Sequence, residues 1–199
     1  MHLRKLGKAE GFTLIELLVA IAIGMVVLAG VTTTFMSQTK FYGAQEQVNE
    51  MEQNARGALD VIMRELKMAG YNPNGGAVTG ITYHPTQLQI QADLNENGAI
   101  TPVGTEPNEI ITYVHDGTNN RITRQDGTNT AQVLADNITA FNFTYLKADG
   151  TTTTATSEIR QVKIDITART AKPDPNYSAN GGYREYLVTA TITPPNLAL

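Results

Sequence analysis

The sequence predicts an α+β protein, with one long N-terminal helix whose second half lies against an antiparallel β-sheet head. Three observations predict it. Between Leu17 and Thr39 no side chain is charged, and about 20 apolar residues at a rise near 1.5 Å each suffice to cross the hydrocarbon core of a bilayer. From Val48 to Ala69 apolar residues recur at spacings of three and four, the stripe of an amphipathic helix. From Val78 onward the period drops to two, as in strands with one buried face.

The chain opens on MHLRKLGKAEG, with Arg4, Lys5 and Lys8 set just before the apolar run. Such positive charge holds this end in the cytoplasm and sends the chain beyond the apolar run across the membrane. A secretory signal would place a small-residue cleavage site after the apolar region. Here Val31-Thr32-Thr33 comes after Gly30 with no Ala-x-Ala pattern, and the helical pattern simply continues. On composition alone the segment reads as an uncleaved single-span anchor. Glu16 is the anomaly, because a carboxylate near hydrocarbon costs about 2.5–3.5 kcal/mol on insertion scales and so implies a partner. It also falls in the first turn of its own helix, where the dipole favours an anion by up to about 1 kcal/mol. A paired acid and a simple helix cap are both open readings.

The run Gly11-Phe12-Thr13-Leu14-Ile15-Glu16-Leu17-Leu18-Val19, preceded by its basic leader, resembles the N-terminal motif of type IV prepilins and of the pseudopilins of type II secretion systems. The resemblance implies a type IV pilin-like fold, a cut by prepilin peptidase between Gly11 and Phe12, N-methylation of Phe12, and retention of the apolar helix on the mature protein. It also implies that Glu16 forms an assembly salt bridge with the freed amine of a neighbouring subunit. That amine has a reference pKa of about 8 and is mostly cationic at neutral pH. The implied domain layout is a leader over residues 1–11, a long helix over 12–70 with 12–39 as membrane span and later filament core, and a globular head over 71–199.

No proline interrupts Phe12 to Asn72, so one helix of about 85 Å is expected at the standard rise. Many type IV pilins carry a helix-bending proline in this region, and this chain lacks it. Gly24, Gly30, Gly43 and Gly57 are weak points, each worth about 1 kcal/mol against alanine. Gly24 and Gly30 also suit close packing between helices in a membrane or filament. The apolar stripe is Val48, Met51, Ala55, Leu59, Ile62, Leu66 and Ala69. Gly70 is placed to take the left-handed conformation that ends a helix, and Pro73 cannot continue one. The segment from Gln53-Asn54-Ala55-Arg56-Gly57-Ala58-Leu59 to Met68-Ala69-Gly70-Tyr71 resembles the corresponding helix and turn of PilW-type minor pilins. Those often have a cysteine soon after the tyrosine, where this chain has Asn72-Pro73-Asn74-Gly75-Gly76.

Alternation marks strands at Gln87–Ala92, Gln161–Thr167 and Tyr186–Ile192, with further candidates at Ile110–Val114, Arg121–Arg124 and Ile138–Leu146. Asp116-Gly117, Asp126-Gly127 and Asp149-Gly150 read as turns. Phe141, Phe143 and Tyr145 share one strand face, and the helix stripe is its natural partner.

One stretch suggests a cofactor. Asp93-Leu94-Asn95-Glu96-Asn97-Gly98-Ala99-Ile100 matches the first half of a calcium loop, with oxygen ligands expected from Asp93, Asn95, Asn97 and the Ala99 carbonyl. Gly104 stands where such a loop places its bidentate glutamate, and Glu106 or Glu109 is left to substitute. Asx-rich turns also form for local hydrogen-bonding reasons alone.

Composition narrows the remaining classes. With no cysteine there is neither a disulfide nor a thiolate site. A net charge of -4 argues against general nucleic-acid binding, and Arg160, Lys163, Arg169, Lys172 and Arg184 are interspersed with Glu158, Asp165 and Glu185. His84 and His115 sit within or beside expected strands, and no phosphate loop, nucleophile elbow or histidine metal pair is present. Asn137-Ile138-Thr139 and Asn142-Phe143-Thr144 match glycosylation tripeptides. The sequence therefore reads as a non-enzymatic structural subunit, in the inner membrane before assembly with its head outside the cytoplasm. The resemblance points to a minor pilin that initiates or caps a type IV pilus, with prepilin peptidase, other pilins and an inner-membrane assembly platform as partners. A J-type minor pseudopilin of type II secretion is the second reading, a major pilin the third, and a membrane-tethered enzyme or ligand-binding domain the last.

Overall fold

A computed structural model describes residues 11–76, 78–100 and 109–197. Helix α1 runs Leu14–Met68, followed by β1 (Ile81–Thr82), β2 (Gln87–Gln91), β3 (Ile110–Asp116), β4 (Arg121–Asp126), β5 (Gln132–Asp136), β6 (Ile138–Leu146), β7 (Gln161–Arg169) and β8 (Glu185–Ile192). The chain divides into two compact units, Met1–Gln45 and Glu46–Leu199, and the boundary falls inside α1.

In the first unit α1 is long and apolar enough to cross a membrane, and none of that span is buried within the chain. Leu14, Ile15, Leu18, Ile23, Val26, Leu28 and Phe35 all stand exposed. Four threonines in this region are satisfied locally. Thr32, Thr33, Thr34 and Thr39 each donate their hydroxyl to the carbonyl four residues earlier, at 2.8–3.0 Å. Their donors thus need no water, which suits an apolar surrounding.

In the second unit the expected stripe is the buried face: Met51, Ala55, Leu59, Ile62, Leu66 and Ala69 enter one core with residues of the strands, Ala58 joins them, and Val48 packs half-buried against it. The helix stops where the sequence places its breaker. Gly70 has φ +77°, and its N–H leaves the helix to donate to Gln91 O on β2. A Cβ on Gly70 would lie 2.8 Å from Leu197 Cδ2, so glycine is needed for space as well as for conformation.

The head holds two antiparallel sheets rather than one. The first has order β1-β2-β3-β4-β5, the second β6-β7-β8. The break lies at Asn137, whose φ of +58° turns the chain between consecutive strands β5 and β6. Asparagine tolerates that left-handed conformation better than other residues with a side chain. In the second sheet β7 pairs on both sides, with Phe143 opposite Ile164 and Ile164 opposite Ala190. Val162, Ile164, Ile166 and Ala168 are fully buried, and Phe141 and Tyr145 join them in the core with Phe143 packed beside. Tyr145 contacts Tyr83 edge-on at 5.4 Å between ring centres. Its hydroxyl lies 3.3 Å from both His84 O and Gln87 O, and burial pushes its pKa up to about 12. The phenol therefore stays neutral and donating.

A polar latch fastens α1 to the first sheet. Tyr113 on β3 is fully buried and donates its hydroxyl to Glu65 Oε2. On β4, Arg124 reaches Glu65 Oε1 at 2.8 Å through Nη2 and 3.0 Å through Nε. Burial, and then the Glu65 carboxylate, hold the Tyr113 phenol well above the usual tyrosine range. Removing Glu65 strands two donors in a partly dry site. Glu65→Ala should lower unfolding stability of the detergent-solubilised full chain by about 3 kcal/mol, whereas Arg56→Ala, which breaks an exposed pair with Glu52, should cost under about 1 kcal/mol. Denaturant melts check both.

Candidate functional site

The N-terminal element is built on a reciprocal cap. Thr13 precedes the first helical residue, and its N–H and hydroxyl both donate to Glu16 Oε2, at 2.9 and 2.8 Å. Glu16 N–H returns a bond to Thr13 Oγ1 at 3.3 Å. This is the capping box that Thr-x-x-Glu encodes, and it answers orphan donors at the helix start. Glu16 Oε1 has no hydrogen-bond partner among the described residues. Gly11 and Phe12 lie outside the helix, and Phe12 is 92% exposed. The structure thus brings Phe12, Thr13 and Glu16 together at one helix end, with the Gly11–Phe12 peptide bond in non-helical, exposed chain. Thr13 is the partner that sequence reasoning missed, although the four-residue pattern was available as a signal.

The Asx-rich loop is the second place where oxygen atoms gather. Asp93 is fully buried, and its carboxylate accepts from Asn97 N at 3.2 Å and Gly98 N at 2.9 Å. Asn95 Oδ1 accepts from Asn97 N, and Asn97 Oδ1 from Ala99 N, at 3.0 and 2.8 Å. Gly98 takes φ +80°, as the sharp turn of such a loop requires. Glu109 is 2% exposed, and its Oε1 accepts from Asn95 N at 3.3 Å. It reaches the loop because Ala92 N bonds Glu109 O as the β2–β3 pairing runs out. The Gly104 and Glu106 positions lie outside the described residues. Among the described residues two carboxylates meet here, those of Asp93 and Glu109, and no group of three or more His, Cys, Asp or Glu side chains able to hold a metal is found.

His84 and His115 are held by ordinary contacts. His115 Nε2 is 3.0 Å from Ile138 O, and Thr86 N donates to His84 Nδ1 at 3.3 Å.

The family profile described as the prokaryotic N-terminal methylation motif matches residues 6–32. Its match begins at residue 6 and covers Lys8, the Gly11–Phe12 pair, Glu16 and the first part of α1, and none of the head. Among solved structures, a type IV-like pilin from Thermus thermophilus is similar at 14% identity, over 71% of this chain and 95% of that one, with a TM-score of 0.46. No curated protein sequence matches this chain.

Proposed function

We propose that the chain is a structural subunit of a type IV pilus, a minor pilin cleaved between Gly11 and Phe12, methylated on Phe12, and taken from the inner membrane into the filament. The observation that carries this reading is the N-terminal element. A cleavable-looking junction stands in exposed chain, immediately ahead of a capped helix whose apolar face meets nothing within its own chain. The methylation-motif match over the same residues supports it. In the membrane that helix is solvated by lipid; in a filament, by the helices of its neighbours. Prepilin peptidase, other pilins and an assembly platform in the inner membrane are the partners this function requires. The large head and the Met68-Ala69-Gly70-Tyr71 turn favour a minor over a major subunit.

Glu16 links the two states. Its Oε2 holds the cap, while Oε1 is left to accept the ammonium of a neighbour's Phe12. One carboxylate therefore serves both its own helix and the next subunit without giving up either bond. Charge-assisted hydrogen bonds of this kind are about twice as strong as neutral ones, and more so away from water. Glu16→Gln keeps an acceptor for the cap and loses the charge. It should leave cleavage unchanged and reduce the chain's recovery in sheared filaments at least about tenfold, the equivalent of 1.4 kcal/mol; normal recovery defeats the pairing.

A second reading concerns the Asx-rich loop. Asp93, Asn95, Asn97 and the Ala99 carbonyl would hold a calcium ion, with Glu109 supplying the acid that position twelve lacks. The gathering of side-chain oxygens from Asp93, Asn95 and Asn97 on one turn, and the approach of Glu109 to Asn95, favour it. Calcium chloride should raise the melting temperature of the full chain, and Glu109→Gln should abolish that shift; calorimetry with no calcium-dependent heat removes the reading.

A further inference from the structure

We propose that the free side of β8 is a docking edge for an extended strand of a neighbouring membrane-anchored subunit, which rests on the filament function above. The phase of the ladder identifies the free groups. Thr170 N donates to Arg184 O just beyond the strand ends, in line with the Arg169–Glu185 register. Antiparallel bonding alternates from residue to residue, so Tyr186, Val188, Ala190 and Ile192 bond to β7. The N–H and C=O groups of Glu185, Leu187, Thr189 and Thr191 point the other way. None of them has a backbone partner among the described residues. Such a row is recognised in sequence-tolerant fashion by one chemistry above all, another extended backbone.

Two further features distinguish this edge from one that is merely solvated. Across Glu185–Ile192 there is one charge, at the strand's start, and no lysine, proline or register shift, the devices by which edges are usually blunted. The apolar layer is also unfinished here. On β7 the core-facing residues Val162, Ile164, Ile166 and Ala168 are fully buried, and Ile192 opposite Val162 is buried too, yet the partners of the other three, Ala190, Val188 and Tyr186 on β8, remain half-buried, and Leu187 on the opposite face is 60% exposed. A fourth strand beside β8 would continue the same layer and cover that row. The occupant is therefore an extended segment with apolar residues at alternate positions. In a filament it comes from the adjacent subunit, brought close by the packing of anchor helices.

Hydrogen exchange tests this directly on the full chain. The Leu187, Thr189 and Thr191 amides should exchange at least about tenfold more slowly in the filament fraction than in detergent-solubilised protein; equal rates overturn the proposal. Thr189→Pro removes an edge donor and no ladder bond, while Thr189→Ala controls for loss of the hydroxyl contact with Asp165. Both variants should be cleaved normally, and only the proline variant should lose incorporation, at least about tenfold; if it assembles like the alanine variant, the edge is not used. Should the proline variant fail to fold, the exchange rates of the unsubstituted chain still decide. Val188→Cys checks a second copy as occupant, because a two-fold β8–β8 pairing centred there sets the two Cα atoms about 4.5 Å apart, within disulfide reach. A disulfide-linked dimer would overturn the neighbouring-subunit assignment. The outcomes separate from those of the Glu16 pairing, since Glu16→Gln leaves the β8 edge intact and Thr189→Pro leaves the N-terminal element intact.

Discussion

The Thr13–Glu16 cap sets where α1 begins, and much of the rest depends on that point. A helix entering hydrocarbon exposes four backbone donors at its start, and each costs several kcal/mol if left unanswered. Thr13 and Glu16 answer part of that demand within the chain, with three hydrogen bonds among four residues. The cap also stops the helix short of Gly11 and Phe12, which keeps the junction in open chain. Further along, the threonine hydroxyls at residues 32–34 and 39 bond back to the helix in the same spirit. Much of the hydrogen-bonding demand of the apolar half of α1 is thus met within the helix, which suits one segment to lipid and, on the proposed function, to a filament.

The second half of the same helix solves a different problem. Its stripe is buried against two sheets, and the energy of that burial carries the head. Apolar contact alone is non-directional, however, and fixes neither the rotation nor the register of a helix on a sheet. The Glu65 latch supplies direction, because its carboxylate accepts from a tyrosine on β3 and an arginine on β4 at once. At the helix end, Gly70 hands its N–H to β2 and so ties the same sheet to the same helix a second time.

Periodicity made most of this legible. A stripe at three and four, an uncharged run and alternation at two gave the helix, its two environments and six of the strands, because burial on one face leaves a period in sequence. The features that stayed hidden did so for physical reasons. β1 is only two residues long and β5, Gln132–Asp136, has no alternation and a register shift against β4, so neither carries a period. The division into two sheets rests on the backbone angle at Asn137, which composition does not announce. Glu65 has no local motif around it; its role depends on Tyr113 and Arg124, which lie about fifty and sixty residues away in the chain. The junction Gly11–Phe12, Glu16 and the Asx-rich loop were legible as local motifs, since their chemistry is encoded within a few consecutive residues. Glu109, sixteen residues beyond Asp93, reaches that loop only through strand pairing.

The central claim is that the N-terminal element is cut and then kept. Mass spectrometry of the chain recovered from membranes of cells with an active prepilin peptidase tests it most directly. The account predicts an N-terminal peptide that begins at Phe12 and carries one methyl group on its amine. A peptide in which the leader through Gly11 is still joined to Phe12 would contradict it.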